Sequence, residues 1–271
     1  MPIALSEDQV RQYERDGIVF PVGVLSADEA AEYLARCNDL EERLGGAPRA
    51  VELTQTHLHF RWAYDLATNA KVLDAVEDVL GPDIVVWSTS IFSKRARNPG
   101  YISWHQDGTY WELDSTQVTT AWIALSDSTV ENGCMRVVPG TQTQEIHSHK
   151  DTYAELNLLS RGQEIEVEVN EDEAADVILM AGEMSLHHVK IIHGSNANES
   201  DVKRVGFATR YVTPEVSQVG ERPKAVLARG RDEYGHYDLV GPPADKPIDE
   251  AVDEMKRATS KFLATIMPDK D

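Results

Sequence analysis

Cysteine is nearly absent from this chain. Cys37 and Cys134 are the only two in 271 residues, too few and too far apart for a disulfide framework or a cysteine zinc site. Both sit among apolar neighbours and read as inert buried thiols. No stretch approaches the roughly 18 consecutive apolar residues that a membrane span needs. The N-terminus, MPIALSEDQVRQYERDG, lacks the basic start and apolar centre of an export signal, so a cytoplasmic protein is expected. Basic residues are also scarce, with 26 Lys and Arg against 46 Asp and Glu and a formal net charge of −20. That balance argues against nucleic acid or an anionic membrane as a partner, since both require basic surface. The acidic residues are dispersed rather than gathered in a tail and describe a solvated exterior.

What is present is ordinary globular composition, 41% hydrophobic and 27% charged, organised in two styles. The first 82 or so residues are helical in pattern. LSEDQVRQYERDG offers Ser6 as a cap and Gly17 as a stop. LSADEAAEYLARCNDLEERLGG pairs Ser26 with Glu29 in a capping-box pattern, spaces Ala30, Leu34, Cys37, Leu40 and Leu44 helically, and stops at Gly45. GIVFPVGVL between them is expected as a short strand, and TNAKVLDAVEDVLG as a third helix capped at Thr68 or Asn69. From about residue 83 to 213 the pattern changes to short strands separated by Gly, Pro, Asn and Asp turns. They include DIVVWSTSIFSKRA, TTAWIALSDS, GCMRVVPGT, QEIEVEV, DVILMAGEMSLHH, VKIIHGS and RVGFATRYVT. At least seven strands in one block predict a sandwich or barrel rather than βαβ units. Residues 143–163 form a long connection, a candidate lid. A Pro- and Gly-rich extension from 214 leads to a closing helix within PIDEAVDEMKRATSKFLATIM. The whole chain, 1–271, is expected to be one domain.

The chemistry-bearing stretch is SWHQDGTYW at 103–111. Nine histidines and 22 aspartates make an accidental His-x-Asp cheap, and GHYDL supplies a second one at His236 and Asp238. Context separates them. His105 lies between two convincing strands, whereas His236 sits among Gly, Pro and charge. Positions i and i+2 of a strand share a face, so His105 and Asp107 can aim at one point with Gln106 turned away. His193, ending the apolar run of KIIHGS, offers a third ligand. Two imidazoles and one carboxylate on one face is the arrangement of non-haem Fe(II) oxygenases. On spacing alone, a structural strand-end histidine remains the commoner reading. The pairs His57/His59 and His147/His149 read as surface or pocket-rim residues, and His187 or His188 as a hydrogen-bonded support for His193.

Over roughly residues 6–213 the chain resembles the phytanoyl-CoA dioxygenase-like (PhyH) family of Fe(II)/2-oxoglutarate-dependent oxygenases. The resemblance is carried in order by WHQDGTYW, AWIALSDSTVENGCMRVVPGTQ and GEMSLHHVKIIHGSNANESDVKRVGFATRY. It implies a double-stranded β-helix, a jelly-roll of cupin type, mainly β with flanking N-terminal helices and a C-terminal helix. It implies that His105, Asp107 and His193 are the iron triad and that Arg204 clamps the co-substrate 2-oxoglutarate. Ser195 would assist Arg204, Trp122 would flank the co-substrate pocket, and Asn132–Gly133–Cys134 would form the turn after that strand. The cofactors implied are Fe(II), 2-oxoglutarate and O2, and the reaction is hydroxylation with release of succinate and CO2. Asp107 matters to the outcome: halogenating relatives lack this carboxylate, so its presence favours hydroxylation, with desaturation or rearrangement left open. An inward arginine on RVGFATRY would need an anionic partner, because an unpaired buried cation costs several kcal/mol.

The substrate is less legible. Tyr110, Trp111, Trp87 and Arg61 are candidate pocket residues, each equally readable as ordinary packing, and Ser90 lies on the same early strand as Trp87. The family's substrates include acyl-CoA thioesters, amino-acid-like solutes, aminoalkylphosphonates and natural-product intermediates. An acidic chain without a basic cluster favours a small polar metabolite over a CoA ester. A non-catalytic jelly-roll binder and a cupin-type metal enzyme working without 2-oxoglutarate stay open as alternatives. A homodimer stays open as well.

Overall fold

A computed structural model of the chain describes residues 2–46, 48–220 and 222–266. Its helical part begins with α1 (Glu7–Asp16), β1 (Ile18–Gly23) and α2 (Ala27–Arg43), followed by α3 (Arg61–Ala67) and α4 (Ala70–Leu80). The caps are those the residues dictate. Ser6 and Ser26 each close a capping box, with Gln9 and with Glu29, and the Asn69 side chain accepts from the Lys71 amide. α2 ends at Arg43, just before Gly45 takes a positive φ.

The strand-rich part comprises β2 (Ile84–Lys94), β3 (Ile102–His105), β4 (Val118–Ala124), β5 (Met135–Val138), β6 (His149–Asp151) and β7 (Gln163–Ile165). β8 (Ala175–Val177), β9 (Glu183–His188), β10 (Ile192–Ser195) and β11 (Arg204–Val212) complete the jelly-roll strands. β12 (Lys224–Arg229), β13 (Asp238–Leu239) and α5 (Ile248–Ile266) follow. Seven strands form one large sheet in the order β1-β9-β4-β11-β2-β12-β13, and four form a smaller one, β3-β10-β5-β8.

Alternation on the large sheet explains how the layers stack. On β11, Val205, Phe207 and Tyr211 point outward into a core shared with the helices, where Leu40, Val72 and Val76 lie. Ala208 faces the other way and packs, with Trp122 and Ala124, against Met135, Val137 and Val177 of the small sheet. One face therefore meets helices and the other meets a second sheet, the two-sheet arrangement of a jelly-roll. The interval between the sheets is the barrel interior.

Four local expectations change. DVILMAGEMSLHH is two strands in different sheets, β8 and β9, because Ala181–Gly182 turns the chain between them; Gly182 has φ +93°. QEIEVEV keeps only Gln163–Ile165 as strand. The connection 143–163 is not free of structure. β6 pairs with β7, and backbone bonds tie Tyr101 to Leu156 and Leu158. The late Pro/Gly-rich stretch also supplies β12, paired with β2. Among the described residues no helix is long and apolar enough to cross a membrane.

Phe207 marks the seam between helices and sheet: fully buried, its ring centroid is 6.3 Å from that of Trp62. Phe207→Ala should therefore cost roughly 3–5 kcal/mol of stability. Urea unfolding measures the loss, with the denaturant slope expected to stay unchanged.

Candidate metal centre

His105 closes β3 and His193 stands second in β10, directly opposite it in the antiparallel register. Their ring centroids are 4.1 Å apart. Asp107 lies just past the strand in a short 3₁₀ turn, and one of its oxygens is 3.5 Å from His105 Nε2. Ligand atoms of all three lie within 4.8 Å of one another, the sole such cluster of three or more His, Cys, Asp or Glu among the described residues. Both imidazoles are buried.

Each ring is oriented by its own strand. His105 Nδ1 is 2.9 Å from the carbonyl of Ser103, and His193 Nδ1 is 3.1 Å from that of Ile191. A carbonyl can only accept, so Nδ1 carries the proton and Nε2 presents a lone pair, the form a metal requires. Burial lowers the His193 pKa to about 3 and keeps the ring neutral. Burial pushes the Asp107 carboxyl up, but the closeness of His105 and His193 and the charge of Arg210 outweigh it. The carboxyl is held well below the usual range and stays ionised. Two imidazoles beside one carboxylate is a donor set suited to Fe(II). His187 or His188 was expected as a hydrogen-bonded support, but His187 only lies near His193, its ring tilted with centroids 5.3 Å apart; the Ile191 carbonyl takes the supporting role.

Farther along the interior lies a second group. Arg204 opens β11, is 2% exposed, and holds its guanidinium carbon 5.3 Å above the Trp122 ring. Gly206 makes this possible, since a Cβ there would stand 2.0 Å from the indole. Opposite Arg204 in the β2 register is Lys94, fully buried, whose Nζ donates to Ser195 Oγ at 2.7 Å and to the Asn196 carbonyl. Ser195 thus steadies Lys94, whereas the sequence pattern assigned it to Arg204. Neither cation is in an ion pair among the described residues, and Arg204 Nε has no partner. Burial, and then the charge of Arg204, push Lys94 down to about 6; burial pushes Arg204 down to about 10. A cavity of about 600 Å³ opens beside them, bounded by Phe92, Ile102, Asn157 and Leu158. A buried guanidinium facing no anion, with an amine beside it that can gain a proton as an anion arrives, suits a carboxylate. The turn at Asn132–Gly133–Cys134 braces this end of the barrel, for Gly133 lies so close that a Cβ would be 2.4 Å from the Asn196 carbonyl.

The remaining candidates divide. Trp87 and Trp111 pack together at 5.2 Å in the interior, and Trp87 Nε1 donates to Gln218. Tyr110 turns toward the 143–163 segment, edge-on to His149 and beneath Arg161. Arg61 is not in the pocket: on α3, in the outer layer, it is exposed and bonded to Asp65 at 2.8 Å. His57 is not a rim residue. It is fully buried behind the sheet against Thr89, and burial drives its pKa to about 3. Asp238 is exposed beside Arg222, and its neighbour His236 stacks on Tyr234.

Three functional-looking residues escaped the sequence reading: Lys94, Arg210 and Gln106. Gln106 is fully buried, donating to the Lys190 carbonyl and accepting from the His147 amide, while its own amide donates to His149 Nε2. It pins the 143–163 segment over the metal-ligand turn.

Comparison with known proteins gives the family. The family described as Phytanoyl-CoA dioxygenase (PhyH) matches residues 13–206. The chain is 27% identical over 220 residues, 76% of its length and 70% of the relative's, to a protein of Stutzerimonas stutzeri. That relative is described as "Probable alpha-ketoglutarate-dependent hypophosphite dioxygenase". It is 23% identical over 256 residues, 83% of each chain, to ectoine dioxygenase of Bordetella parapertussis (strain 12822 / ATCC BAA-587 / NCTC 13253). Among solved structures it resembles a non-heme monooxygenase, ThoJ in its apo form. The TM-score is 0.81 at 33% identity, covering 94% of this chain and 95% of that one.

The Lys94 environment has a measurable consequence. Its folded pKa of about 6 lies below the unfolded value of about 10.4, so between those values the unfolded chain binds a proton that the native one does not. Stability of the metal-free protein should fall as pH drops through that window, by up to roughly 1.4 kcal/mol per pH unit for this one group. Lys94→Met should flatten that component. Chemical denaturation from pH 6 to 10 on both proteins gives the difference.

Proposed function

Because the chain belongs to the phytanoyl-CoA dioxygenase (PhyH) family, we propose that His105, Asp107 and His193 hold its Fe(II) and that Arg204 and Lys94 hold its 2-oxoglutarate. Proteins of this family and the curated relatives are Fe(II)- and 2-oxoglutarate-dependent dioxygenases, and this chain is one of them. The observation that carries the residue assignment is the His105–Asp107–His193 cluster lying in the same interior as buried Arg204 and Lys94, neither of them in an ion pair among the described residues.

When bound, iron supplies the centre at which O2 and 2-oxoglutarate become succinate and CO2, with the second oxygen atom delivered into a substrate C–H bond. The chain's own residues prepare that chemistry. Ser103 and Ile191 carbonyls fix both imidazoles as Nε2 donors. Ionised Asp107 offers a negative oxygen beside them and occupies the position that halogenating relatives leave open, which supports hydroxylation. Arg204, held flat over Trp122, offers a carboxylate its planar donor face, and Lys94, steadied by Ser195, adds a second cation. Lys94 is poised to take up a proton as the anion arrives, since a nearby negative charge raises an ammonium pKa.

The substrate reading is hydroxylation of an unactivated C–H in a small polar metabolite or natural-product intermediate. Support comes from the acidic chain, which offers no basic cluster for a CoA ester. The relatives' printed substrates, hypophosphite and ectoine, differ from each other, so neither transfers here.

The test is 2-oxoglutarate-dependent succinate release in Fe(II)-reconstituted protein under O2, alongside metal content. His105→Ala and Asp107→Ala should lose tight iron binding and turnover. Asp238→Ala should keep both. Arg204→Met should raise the 2-oxoglutarate KM by about 100-fold or more, the loss of two charge-assisted hydrogen bonds. Unaltered 2-oxoglutarate affinity in Arg204→Met would remove the clamp assignment.

A further inference from the structure

We infer that Arg210 anchors an anionic group of the substrate, a carboxylate or a phosphorus oxyanion, so that the molecule oxidised is a small anion. This rests on the reading of the site above and extends it to the substrate.

Arg210 lies six residues beyond Arg204 on β11, an even spacing that sends both side chains inward. It is 8% exposed. One guanidinium nitrogen donates to Ser90 Oγ at 2.7 Å, whereas Nε has no partner. Its guanidinium carbon is 5.3 Å from the Trp111 ring and 5.8 Å from that of Phe92, so aromatic surfaces hold the fork in place. It belongs to no ion pair among the described residues. Directly across the sheet, β4 sets Thr120 beside it and β9 sets His187 beside Thr120. Thr120 Oγ1 and His187 Nδ1 are likewise buried without partners. Three orphaned polar groups in one cross-strand row describe a surface shaped for a polar ligand, since buried polar groups are ordinarily satisfied.

Charge balance says what kind. Asp107 is the carboxylate that acts on Arg210, and burial is what otherwise pushes the guanidinium pKa down. Iron(II) brings two positive charges to the triad, and Asp107 offsets one. 2-Oxoglutarate brings two negative charges, against Arg204 and the remaining charge on iron. At least one positive charge is then uncompensated, more if Lys94 is protonated, and Arg210 is its seat. A buried guanidinium left unmatched is costly, and a bidentate oxyanion is its natural complement. A neutral or cationic substrate would leave that cost in place.

The experiment uses the full chain loaded with Fe(II) and 2-oxoglutarate under anaerobic conditions. Acetate, methylphosphonate, acetamide and methylammonium serve as probes, followed by calorimetry and tryptophan fluorescence. Acetate or methylphosphonate should bind and perturb tryptophan emission, while acetamide and methylammonium should not; which anion binds more tightly assigns carboxylate or phosphorus chemistry. Arg210→Met should weaken anion binding about tenfold or more, with 2-oxoglutarate affinity and iron content within twofold of the parent. Arg210→Lys should recover part of the binding. The thermal midpoint of metal-free Arg210→Met should rise, because an unmatched buried charge has been removed; a fall would make Arg210 a structural counter-ion of Asp107 and overturn the inference. Equal loss of 2-oxoglutarate affinity would overturn it too, by assigning Arg210 to the co-substrate, as would anion binding that survives in Arg210→Met. If 2-oxoglutarate fails to bind the parent protein, the broader reading of the site fails instead. If it binds and no anion does, only the present inference falls.

Discussion

Strand β11 has to serve two surfaces at once, and much of the architecture follows from how period-two alternation divides its residues. Odd positions 205, 207 and 211 carry Val, Phe and Tyr into the helical layer, where Tyr211 also donates to the Ala67 carbonyl at 2.8 Å. Even positions 204, 206, 208 and 210 carry Arg, Gly, Ala and Arg into the barrel. A one-residue slip would exchange the faces, placing two guanidinium groups in the helix interface and two aromatic rings in the site. Stability and chemistry are therefore locked to a single register. The small residues between the arginines are part of the same logic, since Gly206 leaves the space that Trp122 occupies.

The His105–Asp107–His193 cluster depends on backbone more than on neighbouring side chains. In each histidine, Nδ1 finds the carbonyl two residues earlier in the chain, that of Ser103 within β3 and that of Ile191 just before β10, so the local backbone selects the tautomer. Such an orienting bond cannot be lost by a single side-chain substitution elsewhere. Pairing of β3 with β10 then brings the two rings side by side, and the turn after β3 adds Asp107. Gln106 pointed away from the ligands, as alternation requires, and its burial under 143–163 shows what the opposite face is for.

This division also explains what could be read from the chain alone. Helices with local caps, such as Ser26 with Glu29, depend on residues three apart and were legible. The triad was legible because His105 and Asp107 share a strand-end motif and His193 carries its own. Arg61 was misplaced because HFRWAYD has the aromatic look of a pocket, yet it forms α3 on the outer side, and Asp65 four residues on satisfies the arginine. His57 looked peripheral because nothing local reveals that Thr89, 32 residues away, covers it. Lys94 could not be found, since its role depends on facing Arg204 across a strand pair more than a hundred residues apart. Arg210 was within reach: it shares parity with Arg204 in the very run that carried the resemblance.

The surface and the interior of this protein have opposite electrical character. Its exterior charge is dominated by acids, net −20 over the chain, while the barrel holds Lys94, Arg204 and Arg210 against the single carboxylate of Asp107. Long-range steering by such an exterior disfavours anions, and salt screens it within about 10 Å at moderate ionic strength. Affinity for a dicarboxylate must then come from short-range contacts in the dry interior, where a matched charge pair is stronger than in water. The same contacts are unmade in the empty protein, so the cations there oppose folding. Ligands that bind only the native state offset this in proportion to their occupancy. Such a site trades stability of the empty chain for selectivity, because a ligand without the right number of negative charges leaves a cation unmatched inside the barrel.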